Sequence, residues 1–292
     1  MDAQQFPWMA TYFDAQCIFP ERLTIELLVD AEAHAAQHGQ RFHVITHHDW
    51  SLDGDGQFVW TPKAVKSLGT QKSVESLSGR PDVIINATGA WVDQTLAGLC
   101  CSDSSVDRGH DIEQGFIRGT KGSHIVLKDV SLRDALGGDG VYAEAPDGRP
   151  IFLLPFAEEQ VLVGTTDIPV QGDPGLARTD QSEVDYLIKA VSRIVPQCQL
   201  SEKNIVQHYC GVRPLPGPRV TGRAAGTPGS VTRRHLLLRD EDATIPTWSV
   251  VGGKLTTCRS LAEESVKKVF AECGFPIVEQ NTQRVLPGCL RE

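Results

Sequence analysis

Two glycines separate an apolar segment from an amphipathic one in the stretch VVGGKLTTCRSLAEESVKKV, which runs from Val250 to Val269. A helix that begins there presents unpaired backbone N–H groups and a partial positive charge, which favour an anionic or electron-rich group. Because Gly252 and Gly253 have no Cβ, a flat ring could also approach the backbone closely. The residues alone leave two interpretations equally open. One is a ligand site, and the other is a glycine pair needed only for a tight strand-to-helix turn.

A second strand end has the same character. The run DVIIN at 82–86 is short, apolar and β-branched, which is typical of a buried strand in a parallel sheet, and it ends at the small residues ATG at 87–89. Ligands of open α/β sheets collect at the carboxyl ends of strands, so two such ends favour a ligand site. The nearest match to the dinucleotide fingerprint, at 138–143, has no strand before it and no helix after it. It is therefore interpreted as a loop.

Hydrophobic periodicity predicts an α/β chain with two parts. The predicted helices are residues 21–38, 91–99, 182–195 and 256–273. The predicted strands are residues 42–44, 58–60, 82–86, 116–127, 151–155, 161–164, 205–213 and 248–251, with hairpin turns at 53–56, 147–148 and 158–159. Both ends of the chain combine strand, glycine turn and helix, whereas the middle predicts an antiparallel or mixed sheet that forms a second lobe.

The last predicted helix has an apolar stripe and a clear end. Its predicted core face consists of Leu255, Ala262, Val266, Val269 and Cys273. Gly274 follows directly, and glycine is the residue that most often ends a helix in the left-handed conformation.

The composition excludes several functional classes. The chain has 292 residues, of which 40% are hydrophobic and 22% are charged, as in soluble globular proteins. Its net charge of -9 argues against a nucleic-acid binder, so an anionic ligand must meet a local cationic pocket. The eight cysteines form no CxxC pair, which predicts a reducing compartment and no structural zinc or other metal site. No apolar run approaches the ~18 residues of a membrane span.

Eight blocks of the sequence, taken together, resemble a known family. They are IINATGAWVDQ (84–94), RGTKGSHIVLKD (118–129), DGRPIFLLPF (147–156), VLVGTTDIPVQGDP (161–174), YCGVRPL (209–215), VTRRH (231–235), VVGGKLTTCRSLAE (250–263) and VLPG (285–288). In this order they resemble the FAD-dependent glycerol-3-phosphate dehydrogenases, within the wider family of D-amino-acid-oxidase-like flavoproteins. GTTD followed by GVRP and GGKLTT is the most specific part of the resemblance.

The resemblance also defines what the sequence lacks. Members of the family begin with a βαβ unit that holds the ADP part of FAD and continue into a C-terminal helical domain, and neither has a counterpart here. The chain is interpreted as the middle of such an enzyme. The predicted organisation is a partial FAD-binding, Rossmann-like domain at 1–108, a mixed or antiparallel-sheet α+β substrate-binding domain at 109–245, a returning FAD-domain strand and helix at 246–275, and a linker at 276–292.

The activity that the resemblance implies is the oxidation of sn-glycerol 3-phosphate to dihydroxyacetone phosphate, with FAD as cofactor and a quinone as electron acceptor. This chemistry needs cations for a phosphate dianion, a base for the hydroxyl proton, and a flavin held against the reacting carbon. The implied location is the cytoplasm, with peripheral contact at the inner face of the cytoplasmic membrane. A homodimer is left open.

The resemblance assigns roles to four polar residues. Arg213 in GVRP, Arg233 in VTRR and Lys254 in GGKLTT are the predicted phosphate ligands, since guanidinium groups match phosphate oxygens bidentately. Arg213 and His124 of KGSH are the predicted catalytic residues, with His124 as general base because imidazole titrates near neutral pH. Two structural alternatives remain. A single arginine more often pairs with a structural carboxylate, and a histidine on a strand more often belongs to the core.

The remaining predicted site residues contact the flavin. In the resembling enzymes the glycine turn lies beside the pyrimidine end of the isoalloxazine, where helix-terminal N–H groups stabilise negative charge. The predicted flavin contacts are Ala87, Gly89, Trp91, Gly252, Gly253, Lys254, Leu255 and Thr256. Asp167, Thr165 and Thr166 of GTTD are predicted to fix a loop.

Two other functions stay open on the sequence. Another oxidoreductase of the superfamily, acting on 2-hydroxy acids or amines, would use an arginine for a carboxylate in a similar way. A catalytically silent fragment is the second, because the dinucleotide loop has no counterpart in the chain. In that case the isolated chain is expected to bind FAD weakly or not at all.

Overall fold

The structure is a computed structural model that describes residues 4–53, 55–63, 77–99, 115–221, 234–241, 243, 245–277 and 285–290. These residues form six α-helices and twelve β-strands. The helices are α1 (Pro20–Gln37), α2 (Val92–Leu99), α3 (Val130–Leu136), α4 (Gln181–Ile194), α5 (Pro218–Thr221) and α6 (Cys258–Cys273). The strands are β1 (His48–Leu52), β2 (Phe58–Pro62), β3 (Leu77–Gly79), β4 (Ile84–Asn86), β5 (Ile117–Lys128), β6 (Val141–Glu144), β7 (Pro150–Ala157), β8 (Gln160–Gly164), β9 (Ile168–Pro169), β10 (Ile205–Pro216), β11 (Leu236–Asp240) and β12 (Thr247–Val251).

The largest sheet is antiparallel and lies at the centre of the chain. Its strands follow the order β10-β5-β8-β7-β6, and β9 adds a short pairing to β5. One face packs against α3 and α4 and forms the main core. The buried residues of that core include Ile125, Leu127, Leu132, Leu153, Val161, Val163, Leu187, Val191 and Ile194.

Strand geometry gives β5 two different faces. Successive side chains point to opposite sides of a strand, so Ile125 and Leu127 lie on the core side while His124 and Val126 lie on the other. Helix α4 covers the core side because Val184, Leu187, Val191 and Ile194 recur at helical spacing and are all buried.

Two smaller sheets flank the central one. In the first, β12 pairs antiparallel with β11 and parallel with β4, with Ser249 opposite Asn86. Because β4 and β12 run in the same direction, the turns that follow them leave the same edge of the sheet. The second sheet has the order β1-β2-β3.

The predicted fold class is confirmed. The chain is α/β, with a parallel pair at β4 and β12 and an antiparallel sheet between them along the sequence. The hairpins predicted at 147–148 and 158–159 connect β6 to β7 and β7 to β8. Of the glycine-rich segment at 138–143, residues 138–140 form the loop between α3 and β6, whereas residues 141–143 belong to β6 itself, so the interpretation as a loop holds only for the first half.

Two predictions about local structure are wrong. Residues 42–44 form no strand, and the first strand, β1, begins instead at His48. On the predicted core face of α6, Val269 is buried and Cys273 is half-buried, as expected. The other predicted members are exposed, namely Leu255, Ala262 and Val266, and Ser265 is buried instead. An apolar stripe predicts the direction of a helix face, but the neighbouring sheet decides which part of that face is covered.

The described helices also bear on membrane crossing. None of them combines the length and the apolarity that a bilayer span requires.

The central core yields a stability prediction. We expect Leu187→Ala to lower the free energy of unfolding by about 2–4 kcal/mol, because the Leu187 side chain is fully buried under the sheet and its loss leaves a cavity. Leu176→Ala is the matched control, since Leu176 is 73% exposed and its replacement should cost less than ~0.5 kcal/mol. Urea denaturation measures both. Equal losses for the two variants would contradict this description of the core.

Candidate functional site

A row of side chains crosses the central sheet on the face opposite the core. Tyr209 of β10 lies opposite His124 of β5, which lies opposite Gly164 of β8, which in turn lies opposite Phe152 of β7. Residues directly opposite one another in an antiparallel sheet share a face. The His124 ring stacks on Tyr209 with centroids 5.0 Å apart and lies 5.7 Å from Phe152.

Gly164 makes room for the histidine. A Cβ at this position would overlap the His124 ring and would lie 2.8 Å from Cζ of Phe152. The glycine of GTTD is therefore required beside the imidazole for steric reasons. Its place within a motif was visible in the sequence, but its function depends on a strand pairing that the sequence does not show.

The environment of His124 keeps its imidazole neutral. Burial, and secondly the positive charge of Arg213, lower the pKa of His124 to about 4. Its Nδ1 atom is buried and has no hydrogen-bond partner among the residues that the structure describes. A neutral imidazole retains one unprotonated ring nitrogen, which is the state required of a proton acceptor.

Arg213 lies on the same face of the sheet, four residues along β10 from Tyr209. Its Nη1 donates to the Thr166 carbonyl oxygen at 3.2 Å and to Asp167 Oδ1 at 3.3 Å, and its Nη2 donates to Thr165 Oγ1 at 2.8 Å. The ion pair with Asp167 is the structural role that a lone arginine would be expected to have. The Arg213 side chain as a whole nevertheless stays 26% exposed.

Two further glycines shape the surface around Arg213. A Cβ at Gly122 would overlap the guanidinium, so this position must lack a side chain for Arg213 to lie across β5. Gly211 lies opposite Gly122, between Tyr209 and Arg213 on the same face, and a Cβ there would meet no atom of the described residues within 4 Å. Among those residues, the space between the tyrosine and the arginine is open.

The glycine pair after β12 forms the turn that leads into α6. Gly252 and Gly253 have φ values of 76° and 97°, and a Cβ on Gly252 would lie 3.0 Å from the Arg234 carbonyl oxygen. These two features explain the glycines as turn residues. Lys254, the third residue of the turn, is exposed.

The start of α6 follows an exposed 3-10 turn, Leu255–Thr257. The N-cap residue of α6, Thr257, makes no side-chain capping hydrogen bond. Its backbone N–H donates to the Lys254 carbonyl oxygen at 3.0 Å, and the Cys258 N–H donates to the Leu255 carbonyl oxygen. The turn therefore pairs these two N–H groups within the chain while its own residues remain exposed.

The turn after β4 is organised by a residue that the sequence analysis missed. Asn86 is buried, its Nδ2 donates to the Val92 carbonyl oxygen at 3.0 Å and to Ser249 Oγ at 3.3 Å, and its Oδ1 accepts from Thr88 Oγ1 at 2.7 Å. This side chain links β4, β12 and the beginning of α2. A polar residue at the end of an apolar strand was the available signal.

The other predicted residues of this turn lie on its surface. Ala87 is exposed. Gly89 has a φ of 61°, and a Cβ added there would meet no atom of the described residues within 4 Å. Trp91 is 43% exposed, and its Nε1 donates to Asp173 Oδ1 at 3.2 Å. The 3-10 turn Gly89–Trp91 contacts β5 and β10, which brings this strand end to the central sheet. Arg233 lies outside the described residues.

Comparison with known proteins identifies the family of this chain. Residues 5–237 match the family model described as FAD dependent oxidoreductase. The chain belongs to the FAD dependent oxidoreductase family. The predicted resemblance to FAD-dependent oxidoreductases is thereby confirmed. The matched residues make up most of the chain and include every strand of the central sheet.

Individual relatives in this family carry related names. The chain is 33% identical over 269 residues to a glycerol-3-phosphate dehydrogenase from Synechocystis, covering 90% of this chain and 45% of that protein. It is 35% identical over 188 residues to the aerobic glycerol-3-phosphate dehydrogenase of Escherichia coli, covering 64% of this chain and 34% of the relative. A D-erythritol 1-phosphate dehydrogenase from Brucella abortus is 32% identical over 203 residues, and the match covers 68% of this chain and 37% of that protein. The chain thus spans less than half the length of these relatives.

A solved structure has a similar fold. The glycerol-3-phosphate dehydrogenase from Bacillus halodurans, complexed with FAD, superimposes with a TM-score of 0.57 and 21% identity. The match covers 80% of this chain and 40% of that chain. It supports the arrangement of strands and helices in the matched part of the chain.

The lowered pKa of His124 predicts a pH-dependent stability. Its folded-state pKa of about 4 lies below its usual value of 6.5, so the unfolded chain binds the extra proton first as pH falls. The stabilising contribution is complete above pH ~6.5 and is lost progressively down to pH ~4. The loss in the free energy of unfolding amounts to about 2.5 kcal/mol at pH ~4.5.

We expect this loss to disappear in His124→Asn. Urea unfolding of the natural chain and of the variant at neutral and acidic pH measures the two slopes, and only the difference between them is read. Identical pH dependence in both proteins would show that His124 does not titrate as described.

Proposed function

We propose that the protein oxidises sn-glycerol 3-phosphate to dihydroxyacetone phosphate, with FAD as cofactor and a quinone as the final acceptor. The observation that carries the proposal is that a neutral histidine and a partly exposed arginine lie on the same face of the central sheet. Beside them, at Gly211, the described residues leave space above the sheet. Membership of the FAD dependent oxidoreductase family supports the reaction class. The names of the relatives support a phosphorylated polyol as substrate.

Arg213 is the proposed anchor for the phosphate group. A guanidinium offers paired donors that match two phosphate oxygens, and the Arg213 side chain, which lies across Gly122, is 26% exposed. Arg233 and Lys254 are proposed as additional cations for the dianion. Because the chain as a whole is strongly acidic, such a local concentration of positive charge is needed to attract an anionic substrate.

His124 is the proposed general base. It is neutral at physiological pH, so it can accept the proton of the C2 hydroxyl when the substrate is held by Arg213. Part of the lowering of its pKa comes from the charge of Arg213. A phosphate dianion bound to Arg213 offsets that charge, which raises the pKa of His124 and makes the imidazole a better base once substrate is bound.

The two turns at the edge of the β4–β12 sheet are the proposed flavin contacts. The exposed 3-10 turn before α6 and the two positive-φ glycines, which have no Cβ, let a flat ring approach the backbone, so the residues present suit FAD. The proposed contacts are Gly252, Gly253, Lys254, Leu255 and Thr256 on one side and Ala87, Gly89 and Trp91 on the other. FAD supplies the acceptor for the hydrogen and the two electrons removed from C2.

The proposed domain organisation follows the same division. Residues 1–108 and 246–275 would form parts of the FAD-binding domain, residues 109–245 the substrate-binding domain, and residues 276–292 a linker. Transfer of electrons to a quinone would place the enzyme at the inner face of the cytoplasmic membrane through peripheral contact.

Steady-state kinetics of the FAD-loaded chain with a dye acceptor test this function. We expect turnover with glycerol 3-phosphate. Arg213→Ala should raise its KM by about 10–100-fold, because charge-assisted hydrogen bonds to the phosphate contribute ~1.5–3 kcal/mol. The absorbance of retained flavin, measured before each assay, confirms that both proteins are loaded. An unchanged KM would reject Arg213 as the phosphate anchor.

Two controls separate this proposal from its alternatives. Arg239 lies on β11, in a different sheet, and forms an ion pair with Glu272 of α6. Arg239→Ala should therefore leave the KM for glycerol 3-phosphate unchanged. D-erythritol 1-phosphate, lactate and glycine are offered to the natural chain in parallel. Preference for lactate or glycine would indicate a 2-hydroxy-acid or amine oxidoreductase, and failure to retain any flavin would indicate a chain that is silent by itself.

A further inference from the structure

A buried carboxylate lies behind the strand that carries His124. Glu183 on α4 is 1% exposed and accepts four hydrogen bonds. Its Oε1 accepts from Ser123 Oγ at 2.8 Å and from Thr166 Oγ1 at 2.7 Å. Its Oε2 accepts from Lys121 Nζ at 2.7 Å and from the Asp180 backbone N–H at 3.0 Å. None of the sequence motifs included Glu183.

These contacts fix the charge of the group. Burial alone would raise the pKa of Glu183, but the hydrogen bonds from Lys121, Thr166, Asp180 and Ser123 outweigh it and lower the pKa. The carboxylate is therefore anionic and can only accept hydrogen bonds. Both hydroxyl groups that contact it must donate, which leaves a single arrangement of the network.

Thr166 connects this network to the other side of the sheet. Its Oγ1 donates to Glu183 and accepts from the Ser123 backbone N–H at 2.8 Å, so the side chain is held at both ends. The Thr166 carbonyl oxygen accepts a hydrogen bond from Arg213 Nη1. On either side of it, Asp167 Oδ1 accepts from the same Nη1 and Thr165 Oγ1 accepts from Nη2. The loop at 165–167 thus has Glu183 on one side and Arg213 on the other.

The alternation of β5 explains why the two sides are coupled. Lys121 and Ser123 point towards α4 and contact Glu183, whereas Gly122 and His124 point to the opposite face. The same four-residue stretch therefore contributes both to the buried network and to the surface on which Arg213 lies.

We propose that Glu183 is a positioning residue for Arg213. By holding the Thr166 hydroxyl, it fixes the loop at 165–167 in the conformation that orients the guanidinium across Gly122. The consequence for substrate binding rests on the proposed function of Arg213 as phosphate anchor. The positioning itself rests only on the contacts and can be tested without substrate.

The reactivity of Arg213 towards phenylglyoxal reports its positioning. Thr166→Val keeps the shape of the side chain but removes the hydroxyl that bonds Glu183. We expect the modification rate of Arg213, followed by peptide mass spectrometry on the full chain, to rise about fivefold because one hydrogen bond no longer holds the loop. Arg239, which is 44% exposed on another sheet, is the internal standard and should react at its original rate.

Two variants control for the substitution itself. Thr166→Ser restores the hydroxyl and should restore the slow rate. Thr179→Val makes the same chemical change at a buried hydroxyl that has no hydrogen-bond partner among the described residues, and it should leave Arg213 unaffected. Thermal melting confirms that each variant is folded. If Thr166→Val does not fold, Glu183→Gln tests the same link, since an amide cannot accept from all four donors.

The outcomes distinguish this inference from the proposed function. An unchanged Arg213 rate in a folded Thr166→Val chain overturns the positioning role. A faster rate, together with a KM for glycerol 3-phosphate raised about fivefold at nearly constant kcat, supports both proposals. A faster rate in a chain whose natural form neither binds nor oxidises glycerol 3-phosphate supports the positioning role and rejects the proposed function.

Discussion

The guanidinium of Arg213 lies across a strand that has no side chain at Gly122, and it donates to oxygen atoms of residues 165–167. A cation held in this way has several donors paired within the protein while its side chain stays partly exposed. Its charge also lowers the pKa of His124, so the two principal groups of the site are coupled electrostatically as well as by their common face. The loop at 165–167 and the absence of a side chain at Gly122 thus decide where this cation lies, and the cation in turn affects the protonation of the histidine.

The central antiparallel sheet makes such an arrangement possible because its two faces have different functions. Residues on one face of β5 pack into the hydrophobic core or bond to Glu183, and their immediate neighbours form the surface around His124 and Arg213. A strand that is packed firmly on one side can hold side chains accurately on the other. The smaller β4–β12 sheet contributes its two turns at one edge, and the contact of Gly89–Trp91 with β5 and β10 joins that edge to the central sheet.

Several features of this site could be predicted from the sequence, and others could not. His124, Arg213 and the turn at Gly252 and Gly253 stand in motifs whose residue types already indicate their chemistry. Long strands and α4 were predicted to within a few residues, because their periodicity is strong. Glu183 gave no such signal, since it appears in sequence as an ordinary charged residue in the first turn of a helix. Its burial follows only from the packing of α4 against β5.

The coupling between Arg213 and His124 is tested most directly by NMR titration of His124 in a chain labelled at its histidine rings. We expect a His124 pKa of about 4 in the free chain. Saturating glycerol 3-phosphate should raise this pKa, because the phosphate offsets the charge of Arg213. In Arg213→Ala the pKa should be higher from the start and should no longer respond to the ligand. A His124 pKa that is the same in the free chain, in the presence of glycerol 3-phosphate and in Arg213→Ala would contradict the account.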